Sequence, residues 1–240
     1  MSGVLASMKP RIATLDWAEI ERALFADGYA LVPGVLDDGE CRIIAAMYPR
    51  DDLFRSRVQM EAHGFGRGQY RYFAYPLPEP IATLREELYA RLAPAANRWM
   101  ERLRLPDRFP ATQQALFGLC AARGQTRPTA LLLTYEPGDW NALHQDLYGE
   151  IAFPFQATCF LSRPGVDFTG GEFVLVEQRP RAQSRPEVIV PELGSMLIFA
   201  NRYRPVEGKN GVYRTVMRHG VSRIRSGRRF ALGIIFHDAK

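Results

Sequence analysis

Long apolar segments are missing from this chain of 240 residues. No apolar run approaches the roughly 18 residues that a helix needs to cross a bilayer. This absence excludes a helical membrane protein, and we expect no membrane partner. The first ten residues also lack a basic start followed by a long apolar stretch, so we expect no signal peptide. Both absences favour a cytoplasmic protein.

Cysteine is scarce as well. Cys41, Cys120 and Cys159 lie far apart and are odd in number, which excludes a disulfide framework and the spacing of a zinc finger. We expect buried or free thiols in a reducing compartment. The rest of the composition is ordinary, with 47% hydrophobic and 24% charged residues, so the chain should bury a packed core.

Histidine is limited to four positions, which are His63, His144, His219 and His237. One of them belongs to the motif His144-Gln145-Asp146. Because side chains alternate along an extended strand, His144 and Asp146 should project to the same side, as two ligands of one metal would. A closed sheet could bring in His219, 73 residues beyond Asp146, as a third ligand for a metal such as Fe(II). The alternative is a core histidine beside an unrelated pair.

Basic residues are in modest excess, with a formal net charge of +5. They crowd into the segment from Asn201 to Arg229, where Glu207 is the only acid. Local crowding of this kind is typical of a nucleic-acid partner. A solvated basic face without a partner is the alternative interpretation.

The order of predicted elements favours a mainly β protein with helical N-terminal support, of the α+β class. Helices are predicted over 16–27, 38–47 and 81–103, the last as one helix or as two separated near Pro94. From residue 129 onward turn residues separate eight strand candidates: 129–136, 143–149, 155–162, 172–178, 187–190, 195–200, 214–224 and 228–237. We therefore predict a helical support and substrate-lid region over 1–128, packed in one compact domain on a β-barrel or sandwich core over 129–240.

The segment 64–75 combines glycine, aromatic residues and arginine. Such a surface can stack on planar ligands and still meet phosphate, so Arg67, Tyr70 and Tyr72, with the more distant Trp140, are candidate substrate contacts. The alternatives are a plain hairpin with exposed aromatics, a core position for Tyr72, and a Trp140 that only packs its loop.

Arg229 gives the strongest indication of a ligand beside the metal. On a strand it shares a face with Ala231, Gly233 and Ile235, and an arginine among small and apolar residues is costly unless it meets an anion. Its guanidinium is suited to hold a carboxylate by two parallel hydrogen bonds. Arg228 is the competing choice, but its position in the alternation places it on the other face.

Four ordered motifs carry a resemblance to a known family. Residues 129–238 resemble the double-stranded β-helix, a jelly-roll and cupin-like fold, of the Fe(II)- and 2-oxoglutarate-dependent oxygenases. The matching motifs are His144-x-Asp146, Gly170-Gly171-Glu172-Phe173, the run from Pro191 to Phe199, and His219-Gly220-Val221 followed by Ser226 to Leu232. In that family the Gly-Gly-Glu turn opens the fourth core strand, and the run that ends in phenylalanine forms the sixth.

The resemblance implies a role for each site residue. His144, Asp146 and His219 would hold Fe(II) as the catalytic metal. The co-substrate 2-oxoglutarate would chelate the iron through its keto acid end, and Arg229 would bind its distal carboxylate. Tyr135, nine residues before His144, would help to bind 2-oxoglutarate, as in the AlkB-type nucleic-acid dealkylases.

The similarity to the AlkB-type enzymes is incomplete. Those enzymes have asparagine where this chain has Leu133, and they have a second arginine where this chain has Ile235. The pocket for 2-oxoglutarate should therefore be similar in outline, while the way of binding the substrate can differ.

The reaction that the resemblance implies is the oxidation of a C–H bond by O2, with conversion of 2-oxoglutarate to succinate and CO2. Hydroxylation of an N-methyl group would release formaldehyde and restore a base. The basic segment, the segment 64–75 and the AlkB-like run favour a modified base in nucleic acid as substrate, which must be unstacked or flipped. The alternatives are hydroxylation of a protein side chain or small-molecule metabolite, and a non-oxidative, metal-binding cupin-like barrel.

Overall fold

A computed structural model describes residues 8–240, so the first seven residues, on which most of the signal-peptide expectation rests, lie outside the described part. Five α-helices occur in these residues: α1 (Met8–Ala13), α2 (Trp17–Asp27), α3 (Asp38–Ala45), α4 (Glu79–Arg102) and α5 (Gln113–Ala121). None of them is both long and apolar enough to cross a membrane.

Local sequence explains where the helices begin and end. The Asp16 side chain caps α2 by accepting the Glu19 amide, and Gly28 ends that helix in a left-handed conformation. Asp37 and Glu40 form a capping box at the start of α3. The predicted helix over 81–103 is a single helix, α4, because Pro94 is tolerated on its exposed side.

The described residues form fifteen strands. They are β1 (Tyr29–Val32), β2 (Phe54–Gln59), β3 (Gly66–Arg67), β4 (Gln69–Phe73), β5 (Leu131–Tyr135), β6 (Trp140–His144), β7 (Phe155–Phe160), β8 (Phe168–Gly170), β9 (Phe173–Gln178), β10 (Arg185–Ile189), β11 (Met196–Ala200), β12 (Tyr203–Gly208), β13 (Gly211–Val221), β14 (Ile224–Gly227) and β15 (Arg229–Ile235). The strand predicted over 143–149 is wrong in its bounds, since β6 ends at His144.

The strands build a double-stranded β-helix. A seven-stranded sheet has the order β1-β11-β7-β15-β5-β4-β2, and a second sheet runs β10-β9-β13-β6-β3 with β12 beside β13. Successive core strands cross between the sheets, so β5 and β7 lie in the first while β6 and β9 lie in the second. This confirms the predicted α+β class with a jelly-roll core.

The N-terminal region contributes strands as well as helices. β2 and β4 pair in antiparallel register, with Val58 opposite Tyr70, and β4 continues the large sheet by pairing with β5. Residues 69–73 of segment 64–75 are therefore held in place by the sheet. The division at residue 128 and the role of the first half as a lid stay predictions.

The long helix α4 fastens the end of β15 to the rest of the fold. Arg85 is buried on this helix and donates hydrogen bonds to the carbonyl oxygens of Ile235 and Phe236. Its guanidinium also forms an ion pair with Asp238 at 2.7 Å. A buried charge that is paired and hydrogen-bonded in this way holds the end of β15 in place, and β15 is the strand that begins at Arg229.

Candidate metal and co-substrate site

A β-bulge in β6 determines which side chains face the cavity between the sheets. His144 lies opposite His219, but Asn141 lies opposite Val221. A shift of three residues along β6 therefore matches a shift of two residues along β13, which defines the bulge. The bulge turns both Asn141 and His144 into the cavity, although strict alternation would place them on opposite faces. Gly220 permits the close approach of the two strands, since a Cβ there would lie 2.7 Å from the Asn141 carbonyl oxygen.

Three side chains converge at one end of this cavity. One ligand atom from each of His144, Asp146 and His219 lies within 4.8 Å of the others. His144 Nε2 is 3.7 Å from Asp146 Oδ1, and His219 Nε2 is 3.4 Å from Asp146 Oδ2. The structure therefore brings the three predicted residues together, with Asp146 just beyond the end of β6.

Neighbouring groups orient each part of this cluster. The Ala142 carbonyl oxygen lies 2.8 Å from His144 Nδ1 and accepts a hydrogen bond from it. The lone pair of Nε2 is then free to bind a metal. Asn201 accepts a hydrogen bond from the Asp146 amide at 3.0 Å and donates one to the Asp146 carbonyl oxygen at 2.5 Å. The Tyr148 hydroxyl donates to Asp146 Oδ1 at 2.5 Å.

Electrostatics place the cluster in the protonation state that binds a metal. Burial lowers the pKa of His219 to about 4, so its imidazole is neutral at neutral pH. Burial alone would raise the pKa of Asp146, but hydrogen bonds and charge from His219, with further contributions from His144 and Tyr148, hold that pKa below its usual value. Two imidazoles and one carboxylate suit a divalent metal such as Fe(II), so the donor set fits the implied group.

Arg229 lines the same cavity, which has a volume of about 190 Å³. Its side chain is buried beside the rings of Tyr135 and Phe160, whose centroids are 5.4 and 5.6 Å from the guanidinium carbon. Burial lowers its pKa, and within residues 8–240 no carboxylate balances the charge. An unbalanced buried cation facing a cavity favours an anionic ligand.

The strand alternation predicted for β15 agrees with the structure. Ala231, Gly233 and Ile235 line the cavity together with Arg229, and Ile234 near the end of the strand lines it as well. Arg228 lies on the outer side, where it donates to the Thr134 hydroxyl. Arg229 is therefore the arginine that a ligand in the cavity can reach.

The Gly-Gly motif makes room for Arg229. A Cβ on Gly171 would lie 2.1 Å from Ile224 Cδ1 and 3.2 Å from Arg229 Cδ. The backbone of Gly171 also has φ +66°, a left-handed conformation that favours glycine. This position therefore requires glycine for both conformation and space.

Tyr135 lies directly opposite Arg229 in the pairing of β5 with β15. Burial raises the pKa of its hydroxyl to about 12, so the group stays protonated and can donate. The Asn141 amide lies 3.4 Å from this hydroxyl. Sequence reasoning missed Asn141 because its inward orientation depends on the β-bulge, which no periodic pattern reveals.

The four candidate substrate residues have different surroundings. Tyr70 lines the cavity, and Trp140 is 40% exposed. Arg67 is exposed and interacts with Asp139 at 3.3 Å. Tyr72 is buried, with its hydroxyl bonded to Tyr148, so it offers no open ring face to a base.

An exposed aromatic that sequence reasoning missed lies at the cavity. Phe65 lines it, is 46% exposed, and stacks on His63 with ring centroids 5.3 Å apart. Its position beside glycines in segment 64–75 was the available signal. Phe65 therefore offers an exposed aromatic ring at the cavity, which the buried Tyr72 does not.

The basic segment from Asn201 to Arg229 is not one surface. Arg204 is buried and paired with Glu177 at 2.5 Å, and Arg229 faces the cavity. Arg202 and Arg214 both stack on Tyr203 at 4.3 Å. Only part of the predicted positive charge is therefore available to a nucleic acid.

Comparison with known proteins identifies a family and a fold for this chain. Residues 68–239 match the Oxygenase-NA family, which is described as oxygenases catalysing oxidative methylation of damaged DNA. An uncharacterized protein of Mycobacterium tuberculosis is 49% identical over 167 residues, which cover 70% of this chain and 72% of that protein.

Solved structures with the same fold include a Pseudomonas putida prolyl-4-hydroxylase, with a TM-score of 0.57, 15% identity and coverage of 93% of this chain and 99% of that one. A 2OG-Fe(II) oxygenase family oxidoreductase from Burkholderia pseudomallei has a TM-score of 0.55, 18% identity and coverage of 94% and 93%. These identities support the fold alone. The family match covers most of the chain, so the protein belongs to the Oxygenase-NA family of oxygenases and has the fold of the 2OG-Fe(II) oxygenases.

Proposed function

We propose that this oxidoreductase is an Fe(II)- and 2-oxoglutarate-dependent dioxygenase that acts on a modified base in nucleic acid. One observation carries the proposal: a His-Asp-His cluster and an unbalanced buried arginine line one cavity. Its membership of an oxygenase family argues against the non-oxidative cupin-like barrel.

Different residues of the cavity would bind the metal and the co-substrate. His144, Asp146 and His219 would hold Fe(II), and the Arg229 guanidinium would bind the distal carboxylate of 2-oxoglutarate. The Tyr135 hydroxyl would be a further donor to that carboxylate. With O2, the iron and 2-oxoglutarate would supply oxidation of a substrate C–H bond, yielding succinate and CO2.

Apolar side chains of the cavity limit access of water to the reacting groups. Leu131, Leu133, Val221 and Ile234 line it between the polar groups. A largely apolar lining with a few convergent polar groups is typical of a small-molecule site. The apolar lining also strengthens the electrostatic attraction between Arg229 and an anion, because it lowers the local dielectric constant.

The choice of a nucleic-acid substrate is supported by the family description and by the residues around the cavity. Phe65 is exposed there and can stack on an unstacked base. Arg67 and Trp140 lie on neighbouring β3 and β6, paired with each other. Arg223 and Arg225 are exposed and can contact phosphate. They flank Ile224, whose backbone amide donates to the Asp139 carbonyl oxygen, next to Trp140.

A turnover screen tests both parts of the proposal. The full chain is supplied with Fe(II), ascorbate and 2-oxoglutarate, together with methylated oligonucleotides in one arm and peptides in another. We expect mass spectrometry to show oxidised or demethylated oligonucleotide and a matching yield of succinate. Oxidised peptide with intact oligonucleotide would instead support hydroxylation of a protein side chain, and succinate in neither arm would contradict action on a methylated base.

A further inference from the structure

Two tyrosine hydroxyls form a chain that ends on the metal-binding carboxylate. The Tyr72 hydroxyl donates to the Tyr148 hydroxyl at 2.9 Å, and Tyr148 donates to Asp146 Oδ1 at 2.5 Å. Tyr72 lies on β4 in the N-terminal half, while Asp146 follows β6 in the core. The chain therefore connects the two halves of the molecule at the metal site.

The direction of this chain is determined by its chemistry. An ionised carboxylate can only accept, so Tyr148 must donate to Asp146, and the remaining lone pairs of Tyr148 accept from Tyr72. A hydrogen bond to an ionised acceptor is stronger than one between neutral groups.

Each member of the chain is itself held in place. The Arg55 guanidinium lies over the Tyr72 ring at 4.5 Å, and Arg55 donates to the Pro128 carbonyl oxygen at 3.0 Å. The rings of Tyr72 and Tyr148 meet edge to face with centroids 6.2 Å apart. Turning Tyr148 away from Asp146 would thus also break the hydrogen bond and the ring contact with Tyr72.

We propose that Tyr148, oriented by Tyr72, is a positioning residue that fixes the rotation of the Asp146 carboxylate and thereby raises the affinity of the site for its metal. Holding Oδ1 leaves Oδ2 directed toward His219 Nε2, 3.4 Å away. Partners of this kind typically contribute 10- to 100-fold to metal affinity. The inference rests on the proposed function, because it assigns these residues a role toward the metal of that site.

Metal binding by the full chain tests this inference without turnover. The probe is Mn²⁺, whose electron paramagnetic resonance signal in solution is lost on binding. We expect Tyr148→Phe to weaken Mn²⁺ binding by about 10- to 100-fold and Tyr72→Phe to weaken it less. Adding Tyr72→Phe to Tyr148→Phe should cause no further loss, since Tyr72 reaches the carboxylate only through Tyr148.

Tyr89→Phe is the matched control. The buried Tyr89 also donates one hydroxyl hydrogen bond, to the Pro110 carbonyl oxygen at 2.7 Å, but it does not touch the site. We expect Tyr89→Phe and Tyr148→Phe to lower the Tm of the metal-free protein similarly, while only Tyr148→Phe weakens Mn²⁺ binding.

The outcomes separate this inference from the proposed function. Wild-type affinity in Tyr148→Phe would overturn the inference, provided that His144→Ala abolishes binding. If Tyr148→Phe does not fold, Tyr72→Phe decides, and its unchanged affinity would overturn the inference. If His144→Ala binds Mn²⁺ as well as the wild type, the metal site of the proposed function fails as well.

Discussion

The two ends of the cavity are built differently. At the metal end, Ala142 holds His144 and both Asn201 and Tyr148 hold Asp146, all through hydrogen bonds within the chain. At the other end, Arg229 is buried among rings, and within the described residues no carboxylate balances its charge. The contrast teaches that hydrogen bonds within the chain hold the proposed metal ligands, whereas the arginine end would be completed by the proposed anionic ligand.

The largest effect is expected from His144→Ala, which removes a metal ligand. We expect loss of Mn²⁺ binding and a decrease in turnover of more than about 100-fold, since a three-ligand site rarely keeps its metal with two. His63→Ala, which removes an exposed histidine outside the cluster, should leave Mn²⁺ binding unchanged. An active His144→Ala enzyme would show that the ligands are assigned wrongly.

Arg229→Met changes the arginine end of the cavity. It should weaken binding of 2-oxoglutarate but keep or raise the stability of the metal-free protein. We expect the KM for 2-oxoglutarate to rise about 10- to 100-fold with the loss of a charge-assisted, bidentate contact. The metal-free protein should be as stable as the wild type or more stable, because an unbalanced buried charge is lost. The measurements are succinate formation against 2-oxoglutarate concentration, and Tm without ligand.

Arg228→Met provides the control for this comparison, since it changes the neighbouring residue on the outer face. Its KM for 2-oxoglutarate should match that of the wild type. The same rise in KM for 2-oxoglutarate in Arg228→Met and Arg229→Met would contradict the special role of Arg229 at its end of the cavity.

Acidification should destabilise the metal-free protein through its buried histidines and not through Arg229. Burial lowers the pKa of both His219 and His237 to about 4, against about 6.5 in an unfolded chain. Between these values the unfolded chain binds protons that the folded chain excludes, so the free energy of unfolding falls as the pH falls from about 6.5 to about 4.

Thermal unfolding of the metal-free protein at several pH values checks this sign. His237→Gln should flatten the dependence in part, because His219 still titrates. A Tm that rises on acidification over this range would be incompatible with the buried, neutral histidines. Asp146 does not contribute in this window, because its pKa is held below its ordinary value and its stabilisation is lost only at lower pH.

The smallest effect is expected from Gly171→Ala, which crowds the arginine end. The new Cβ would lie 2.1 Å from Ile224 Cδ1, and the alanine would have to keep a left-handed backbone conformation. We expect the free energy of unfolding to fall by about 1–3 kcal/mol and the KM for 2-oxoglutarate to rise. Gly165→Ala has a similar φ, +77°, with no atom within 4 Å of the added Cβ. Urea unfolding of both variants separates crowding from conformational strain, and equal losses would argue against crowding.

The sequence by itself determined the parts of this protein that depend on local pattern. The capped helix α2, the alternation that directs Arg229 and Ile235 to one side, and the His144-x-Asp146 motif all rest on neighbours within a few residues. Short-range geometry decides such features, so periodicity and capping chemistry were sufficient to predict them.

Only the tertiary structure decided which distant residues support the site. The bulge that turns Asn141 inward depends on pairing with β13, and the burial of Tyr72 depends on β4 joining the large sheet. Tyr148 donates to Asp146 two residues before it and accepts from the Tyr72 hydroxyl, which lies 76 positions away in sequence. These contacts arise from packing between strands that are far apart in the chain, and a one-dimensional pattern carries no record of which strands become neighbours.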